Sequence, residues 1–226
     1  MRKYYEAYDD RYRQVHHFGI SWASGNPTPI VSDVAERYGI RKNASALEVG
    51  CGEGRDAVPL LEKGYNLLAT DISAEAVSWC RERFLEYARQ FQVLDCLNGR
   101  MNQKFDFIYA VAVLHMLVET EDRRKFFGFF REQLAQDGIG LICTMGDGKT
   151  EMASDVSGAF DLQQRTHQET GKRMTIAATS CRMVSEDTFR AELRENGLQV
   201  LELGMTQAPP DFSQLIYAVV QRSASE

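Results

Sequence analysis

The sequence predicts an α/β fold, a three-layer sandwich in which helices cover both faces of a mostly parallel sheet. Apolar strands alternate with helical segments from Ala46 to Met145, which is typical of a parallel sheet covered by helices. The segment 105–111 is nearly all apolar, as a strand buried on both faces should be. The last two strands, 198–203 and 215–220, have no helix between them and therefore indicate an antiparallel hairpin at the sheet edge.

Residues 1–44 are expected to form a helical cover ahead of the core. Aromatic and charged residues alternate near helical spacing over residues 1–17, which indicates an amphipathic helix. Pro27 and Pro29 then open a second helix that reaches about Tyr38, because proline is tolerated in a first helical turn. We expect these helices to cover one side of a ligand site in the core.

The core, residues 45–221, is predicted to contain seven strands. Their ranges are 46–50, 65–70, 91–95, 105–111, 139–145, 198–203 and 215–220. Helices are predicted over residues 55–63, 73–90, 120–136 and 186–196. Gly64 ends the first of these helices, since glycine is favoured just after a helix, and Ser73 is a suitable cap for the second. An Asp137-Gly138 turn separates the third helix from the next strand.

Residues 147–182 interrupt this pattern with a long polar stretch of weak periodicity. Long insertions in compact domains are usually lids, binding loops or disorder, so we expect a substrate cap. Its basic residues Arg165, Lys172 and Arg173 are candidates for gripping an anionic substrate. A solvated surface is the simpler interpretation of the same residues.

A glycine-rich turn after the first strand is the strongest sign of function, with the sequence Glu-Val-Gly-Cys-Gly-Glu-Gly over residues 48–54. Glycines at alternate positions let a ligand approach the backbone closely. The helix that follows offers unpaired N–H groups and a partial positive charge. Asp71 ends the second strand, where a carboxylate can accept hydrogen bonds from a ribose diol. The two features together predict a nucleotide-type cofactor.

Glu48 and the glycine spacing indicate which cofactor this is. A dinucleotide turn is usually G-x-G-x-x-G, whereas Arg55 stands where its last glycine would fall. The Glu48 carboxylate would repel a pyrophosphate and attract a cationic ligand. At these residues the chain resembles the class I S-adenosylmethionine-dependent methyltransferases, small-molecule type, whose first motif is E/D-x-G-x-G-x-G and whose second is an acidic strand end. A NAD or FAD site is the alternative.

The resemblance covers residues 45–145 by motif and 186–221 by order of elements. It implies a seven-stranded sheet with a reversed last strand, and S-adenosyl-L-methionine as cofactor. Asp71 would hold the ribose hydroxyls, Asp95 would accept from the adenine amino group, and Ile72 would pack on the adenine. The predicted cofactor-binding residues are Glu48, Gly50, Cys51, Gly52, Gly54, Asp71, Ile72, Asp95, Cys96 and Val111.

His115, after the fourth strand, is the predicted catalytic residue. In many small-molecule methyltransferases of this type a histidine or aromatic residue nearby faces the transferred methyl group. A histidine there can take a proton from the nucleophile, since its ordinary pKa lies near working pH. A packed or backbone-bonded histidine is the alternative interpretation. An aromatic-rich front that either closes over a sulfonium or packs as a helix face comprises Tyr8, Tyr12, His16, His17 and Trp22.

Two absent motifs and the charge balance limit the substrate. Enzymes that methylate exocyclic amines of bases, or glutamine, carry Asn/Asp-Pro-Pro-aromatic after the fourth strand, whereas this chain has Tyr109-Ala-Val-Ala-Val-Leu-His115. No cysteine follows a proline, so the nucleophile of cytosine carbon methylation is also absent. With 26 basic and 32 acidic residues, the net charge of −6 argues against nucleic acid as a partner. A small-molecule O, N or S nucleophile is the expected methyl acceptor.

The five scattered cysteines include no Cys-x-x-Cys and no Cys/His cluster of zinc spacing, so no metal site is predicted. Free thiols in a reducing cytoplasm are the expected state. The N-terminus lacks the apolar segment of a signal peptide, and no apolar run approaches the length of a membrane span. We therefore expect a cytoplasmic protein without a membrane partner.

Two other functions are compatible with the same sequence. One is a non-catalytic regulator that binds S-adenosylmethionine or S-adenosylhomocysteine. The other is a protein or RNA methyltransferase whose partner supplies the recognition surface. The oligomeric state and the identity of the methyl acceptor do not follow from the sequence.

Overall fold

The computed structural model describes residues 2–167 and 169–223. The α-helices in this part of the chain are α1 (Ala7–His16), α2 (Pro29–Arg37), α3 (Ala57–Glu62), α4 (Ala74–Arg83), α5 (Thr120–Gln133) and α6 (Glu186–Glu195). Its strands are β1 (Ala46–Val49), β2 (Leu67–Asp71), β3 (Phe91–Val93), β4 (Phe105–Val111), β5 (Leu134–Met145), β6 (Met152–Ala153), β7 (Leu162–Thr166), β8 (Arg173–Ala177), β9 (Arg182–Met183), β10 (Leu198–Ala208) and β11 (Phe212–Arg222). Short 3-10 helices cover Tyr4–Glu6, Leu85–Gln90, Leu114–Met116 and Val156–Gly158.

Seven of the strands form one sheet in the order β10-β11-β5-β4-β1-β2-β3. From β5 to β3 all neighbours pair in parallel. β11 runs antiparallel to both β5 and β10, so the last strand inserts between the fifth strand and its own hairpin partner. The predicted mostly parallel, seven-stranded sheet with an antiparallel last strand is confirmed.

Alternate residues of the central strands point to opposite faces of the sheet, which creates two cores. Ala46 and Phe107 face the side where apolar residues of α2, α3 and α4 pack. Leu47 and Ile108 face the phenylalanine-rich side of α5, together with α6. The three-layer sandwich is therefore confirmed, and its β strands are covered on both faces. Within the described residues, no helix combines the length and the apolar character needed to cross a bilayer.

Two helices end well before their predicted bounds. The helix predicted over 73–90 ends at Arg83, and a 3-10 helix follows it. Phe84 leaves the helical conformation, with φ −116° and ψ 64°, and its ring stacks on Phe91 at 6.2 Å between centroids. Packing into the core thus overrides the local helical preference, as it often does.

The second difference concerns the end of α5. The helix predicted to reach residue 136 ends at Gln133, and β5 already begins at Leu134. The predicted Asp137-Gly138 turn lies inside this strand, at a shift of register between Phe105↔Leu134 and Phe107↔Ile139. Pairing with β4 extends the strand across a sequence that would form a turn on its own.

The 147–182 segment contains more regular structure than its sequence indicated. β6 pairs with β9, and β7 forms an antiparallel hairpin with β8. The hairpin packs on α1, where Val15 meets Met174 and Ile176 in a small apolar cluster. Backbone N–H of Ala177 also donates to Gln14 Oε1 at 2.7 Å. The N-terminal segment and the insertion therefore pack together as one cover. The division of the chain into an N-terminal cover, residues 1–44, and a core with an insertion stays a prediction.

Candidate active site

A cavity of about 670 Å³ opens at the carboxyl ends of the parallel strands, where ligands bind in open α/β sheets. Its volume is within the range of roughly 300–1,000 Å³ found for small-molecule sites. The turn after β1 and the ends of β2 and β4 line one side, and α1 with the insertion lines the other. The predicted site residues that line it are Glu48, Gly50, Cys51, Gly52, Asp71, Ile72, Asp95, Cys96, Val111 and His115.

Gly54 is the predicted site residue that the structure places outside the cavity lining. Its N–H donates to Cys51 O at 2.9 Å. A side chain at this position would meet Val58 and Cys80 at 3.2 and 3.3 Å. Gly54 therefore shapes the turn and its packing on α4, without bordering the cavity.

The glycine turn is held against β2 by backbone hydrogen bonds. Gly50 N and Cys51 N both donate to Thr70 O, at 2.7 and 2.8 Å. Gly50 has φ +77°, and a Cβ there would overlap Val113 Cγ2. Gly52 has φ +51°, and a Cβ there would lie 2.7 Å from the Tyr12 hydroxyl. Both positions therefore require glycine, for conformation and for space.

Asp71 joins the glycine turn to the start of α4. Its carboxylate accepts from Gly52 N and Ser73 N, at 2.8 Å each. Burial raises the pKa of Asp71 to about 6, and nearby Asp9 raises it further, while the two backbone donors oppose this shift. Each carboxylate oxygen has one backbone donor and one lone pair left. The pair of oxygens can accept from two adjacent hydroxyl groups in the cavity.

Glu48 is a fully buried carboxyl group at the end of β1. The Tyr109 hydroxyl donates to its Oε2 at 3.1 Å. Burial raises the pKa of Glu48 well above its usual range, and Asp56 adds to this effect. A bound cation would favour the ionised form of such a group. This end of the cavity is therefore suited to a positively charged ligand group.

Asp95 is fixed by its own turn, two residues after β3. Its Oδ1 accepts from Leu97 N at 2.9 Å, and its Oδ2 accepts from Asn98 Nδ2 at 2.7 Å. Leu94 N donates to Asp71 O at 2.9 Å, which places the Asp95 turn beside the end of β2. Asp95 and Asp71 thus border the same part of the cavity.

His115 lies on the 3-10 helix Leu114–Met116 and is buried. Within the described residues its Nδ1 has no hydrogen-bond partner. Nδ1 is therefore not bonded to the backbone. Burial lowers the pKa of His115 to about 4, and the charges of Arg123 and Arg11 act in the same direction. The ring is therefore neutral near pH 7 and packs edge-on against Phe212, at 5.9 Å. The preceding Ala112 has φ +58°, a conformation uncommon for alanine.

Contacts that the sequence did not predict hold α1 on the glycine turn. Glu53 accepts from the backbone N–H groups of Trp22 and Ala23, at 2.6 and 2.8 Å. Its Oε1 also lies 2.8 Å from His16 Nε2, and His16 Nδ1 lies 2.8 Å from Glu75. Of the aromatic front predicted from the sequence, Tyr8, Tyr12 and Trp22 line the cavity, whereas His16 and His17 do not.

Arg11 is the site residue most clearly missed by the sequence analysis. It lines the cavity although only 7% of it is exposed. It stands on the buried stripe of α1, four residues from both Ala7 and Val15. A charged residue on an apolar stripe is the signal that would have revealed it, because arginine is rarely buried without a reason.

A family model described as a methyltransferase domain matches residues 47–139. This range runs from β1 into β5 and includes the glycine turn, Asp71, Asp95 and His115. Residues 47–139 therefore match a methyltransferase domain, and the chain has the fold of S-adenosylmethionine-dependent methyltransferases of known structure. Its sheet order and its reversed last strand agree with the expectation drawn from that family.

Two curated relatives match this methyltransferase domain over a small part of their length. The probable nonribosomal peptide synthetase CymA of Salinispora arenicola is 32% identical over 153 residues, which are 60% of this chain and 2% of the synthetase. Phosphoethanolamine N-methyltransferase 1 of Arabidopsis thaliana is 28% identical over 137 residues, which are 58% of this chain and 27% of that enzyme. The chain thus spans less than a third of either relative.

A solved structure matches almost the whole length of this chain. The 1,6-didemethyltoxoflavin-N1-methyltransferase of Burkholderia thailandensis superimposes with a TM-score of 0.70 at 15% identity. The match covers 98% of this chain and 89% of the other. At this identity the likeness is one of fold, and it includes the N-terminal cover and the insertion.

We expect Gly50→Ala to destabilise the protein, since alanine would adopt a left-handed conformation and overlap Val113. The strained conformation alone costs about 1–3 kcal/mol. Thermal and denaturant unfolding of the purified variant measure the loss. Gly25→Ala is the matched control, because a Cβ at Gly25 meets no atom within 4 Å. Equal stability of the two variants would contradict the role of Gly50.

Proposed function

We propose that the protein transfers a methyl group from S-adenosylmethionine to an O, N or S nucleophile of a small molecule. The observation that supports this most strongly is one continuous cavity that extends from the glycine turn and Asp71 to His115 and the insertion. It offers space beyond the predicted cofactor residues, which a methyl acceptor requires. The two methyltransferase relatives act on small molecules by name, phosphoethanolamine and 1,6-didemethyltoxoflavin.

The residues of the cavity fit this cofactor by their chemistry. Asp71 has two lone pairs free for a ribose diol, and Glu48 lies in an acidic region suited to an ammonium group. Asp95, Cys96 and Ile72 would hold the adenine. The cofactor supplies a methyl group that its positively charged sulfur makes reactive, so the protein's task is alignment and exclusion of water.

His115 is the proposed catalytic residue, because its side chain lines the cavity and is neutral near pH 7. An alcohol or thiol must lose a proton as it gains the methyl group, and a protonated amine must lose one before it attacks. The neutral imidazole has a lone pair that can accept that proton, and its lowered pKa, about 4, makes it a weaker base than an exposed histidine. General-base assistance of this kind contributes a factor of about 10²–10⁴ in rate.

We infer a reducing compartment, the cytoplasm, as the place where the protein acts. The inference rests on the cysteines of the described chain, all of which are free thiols. Disulfides are the rule in oxidising compartments and rare in the cytosol.

Calorimetric titration with S-adenosylmethionine, S-adenosylhomocysteine and NAD tests the proposed cofactor. We expect the first two to bind and NAD not to bind. Asp71→Ala removes two charge-assisted hydrogen bonds, which are worth about 1.5–3 kcal/mol each, so it should abolish binding. Asp106→Ala is the control, because Asp106 lies at the start of β4, where its carboxylate contacts Ser45. Binding of NAD alone would refute the methyltransferase proposal.

The affinity for S-adenosylhomocysteine should fall as the pH falls through about 6, the pKa of Asp71. The ionised carboxylate binds the diol, so protonation competes with the ligand, and below the pKa the affinity drops by up to about tenfold per pH unit. Calorimetry across this range measures the slope. The same slope in Asp71→Asn would assign the pH dependence to another group, such as Glu48.

His115→Gln should lower kcat by a factor of about 10² or more and leave the affinity for S-adenosylhomocysteine unchanged. The assay follows S-adenosylhomocysteine release with an acceptor found by screening amines, alcohols and thiols. His17→Gln is the control, since His17 is exposed and does not line the cavity. An unchanged kcat in His115→Gln would make His115 a packing residue.

A further inference from the structure

Arg11 carries a buried positive charge into the cavity without a counter-charge. Its Nε and Nη2 donate to Ala177 O at 3.1 and 2.8 Å, and Nη2 also donates to Ala178 O at 2.6 Å. Within residues 2–167 and 169–223, Nη1 has no hydrogen-bond partner and no carboxylate pairs with the guanidinium. The rings of Tyr8 and Trp22 lie 5.1 and 5.0 Å from the guanidinium, but a buried charge without an opposite charge is costly. This cost suggests that a ligand supplies the missing negative charge.

A second guanidinium faces the same space. Arg165, on β7, lines the cavity and forms no ion pair with any described residue. Burial lowers the pKa of Arg11, and the positive charge of Arg165 lowers it further. The chain has 32 acidic residues against 26 basic ones, yet none of the described carboxylates neutralises these two arginines.

The charges along the cavity are separated. None of the lining carboxylates lies on α1 or the insertion; they are Glu48, Glu53, Asp56, Asp71, Asp95 and Asp211. Arg55 is also there, but it is paired with Asp56 and Asp211, at 3.2 and 3.3 Å. The unpaired positive charges are therefore confined to the side formed by α1 and the insertion.

Two further residues of the insertion line the cavity on the same side as the two arginines, and one of them has a strained backbone. Thr179 lines the cavity with φ +63°, which is a genuine outlier for a β-branched residue. Such strain persists where the surrounding structure enforces it, often at binding sites. His167 also lines the cavity, and its Nδ1 accepts from Thr170 N at 3.2 Å, which leaves its proton on Nε2. Donors thus outnumber charged acceptors on this side.

We propose that Arg11 and Arg165 form an anion subsite that binds a carboxylate or phosphate group of the methyl acceptor. Guanidinium groups bind both anions through paired N–H donors. The inference rests on the proposed function, since the acceptor would occupy the same cavity as the cofactor. It narrows the acceptor to small anionic molecules, held with the nucleophile towards the acidic, cofactor side.

Titration of inorganic phosphate and of acetate into the protein tests the subsite. The protein is saturated with S-adenosylhomocysteine, and chloride is adjusted to keep the ionic strength constant. We expect saturable binding of at least one anion to the wild type. Arg165→Gln should weaken it by about tenfold, as for loss of a charge-assisted pair of hydrogen bonds. This variant should fold normally, because Arg165 makes no side-chain hydrogen bond within the described residues.

Arg173→Gln is the matched control. Arg173 lies on the other strand of the same hairpin, is exposed, and does not line the cavity, so its loss should leave anion binding unchanged. Arg11→Lys keeps the charge but loses the paired donors, and it should weaken binding as well. The anion that binds more tightly shows whether the acceptor carries a phosphate or a carboxylate.

Two results would overturn the subsite. One is the absence of saturable binding of both anions, and the other is an equal effect of Arg165→Gln and Arg173→Gln. Failure of S-adenosylhomocysteine to bind would refute the proposed function instead. The anion titration is then repeated on the ligand-free protein, where it still decides whether Arg11 and Arg165 bind an anion.

Discussion

The buried carboxylate of Asp71 is the contact on which the rest of the site depends. It fixes Gly52 of the turn and Ser73 at the cap of α4 in one hydrogen-bonded unit. Burial of the ionised carboxylate lowers the stability of the folded protein, because the pKa of Asp71 is raised from 3.8 to about 6. The stability associated with this group is therefore lost as the pH rises from 3.8 to about 6, and it stays lost above that value. Hydroxyl groups of a ligand would offset part of the penalty.

The cover over the site is held by polar contacts with the glycine turn and by both polar and apolar contacts within itself. Glu53 of the turn binds two backbone N–H groups of the segment after α1. On the other side, Arg11 and Gln14 connect α1 to the hairpin of the insertion. Two segments that are distant in sequence therefore pack side by side above the strand ends. The acidic floor and the basic cover meet in the cavity, which gives it two ends of opposite charge.

The features that the sequence predicted well are those determined locally. The apolar segment 105–111 forms β4 as expected. Its nearly continuous apolar sequence identifies a strand buried on both faces without any knowledge of its neighbours. Gly50 and Gly52 form the turn that their spacing after a strand indicated, with positive φ values. The paired strands of the insertion were missed, since they depend on Val15 of α1 for burial. Arg11 was missed for the same reason, because its partners Ala177 and Ala178 lie in that insertion.

The position of the two tryptophans has a practical consequence. Trp79 of α4 stacks on His16 of α1, with ring centroids 3.7 Å apart, and the Arg83 guanidinium lies over the Trp79 ring. Trp22 follows α1, and its ring lies 5.0 Å from the guanidinium of Arg11. Both indole rings thus sit where the N-terminal segment meets the core or the insertion. The tryptophan fluorescence of the protein therefore reports on the packing of the N-terminal segment, because the chain has no other tryptophan.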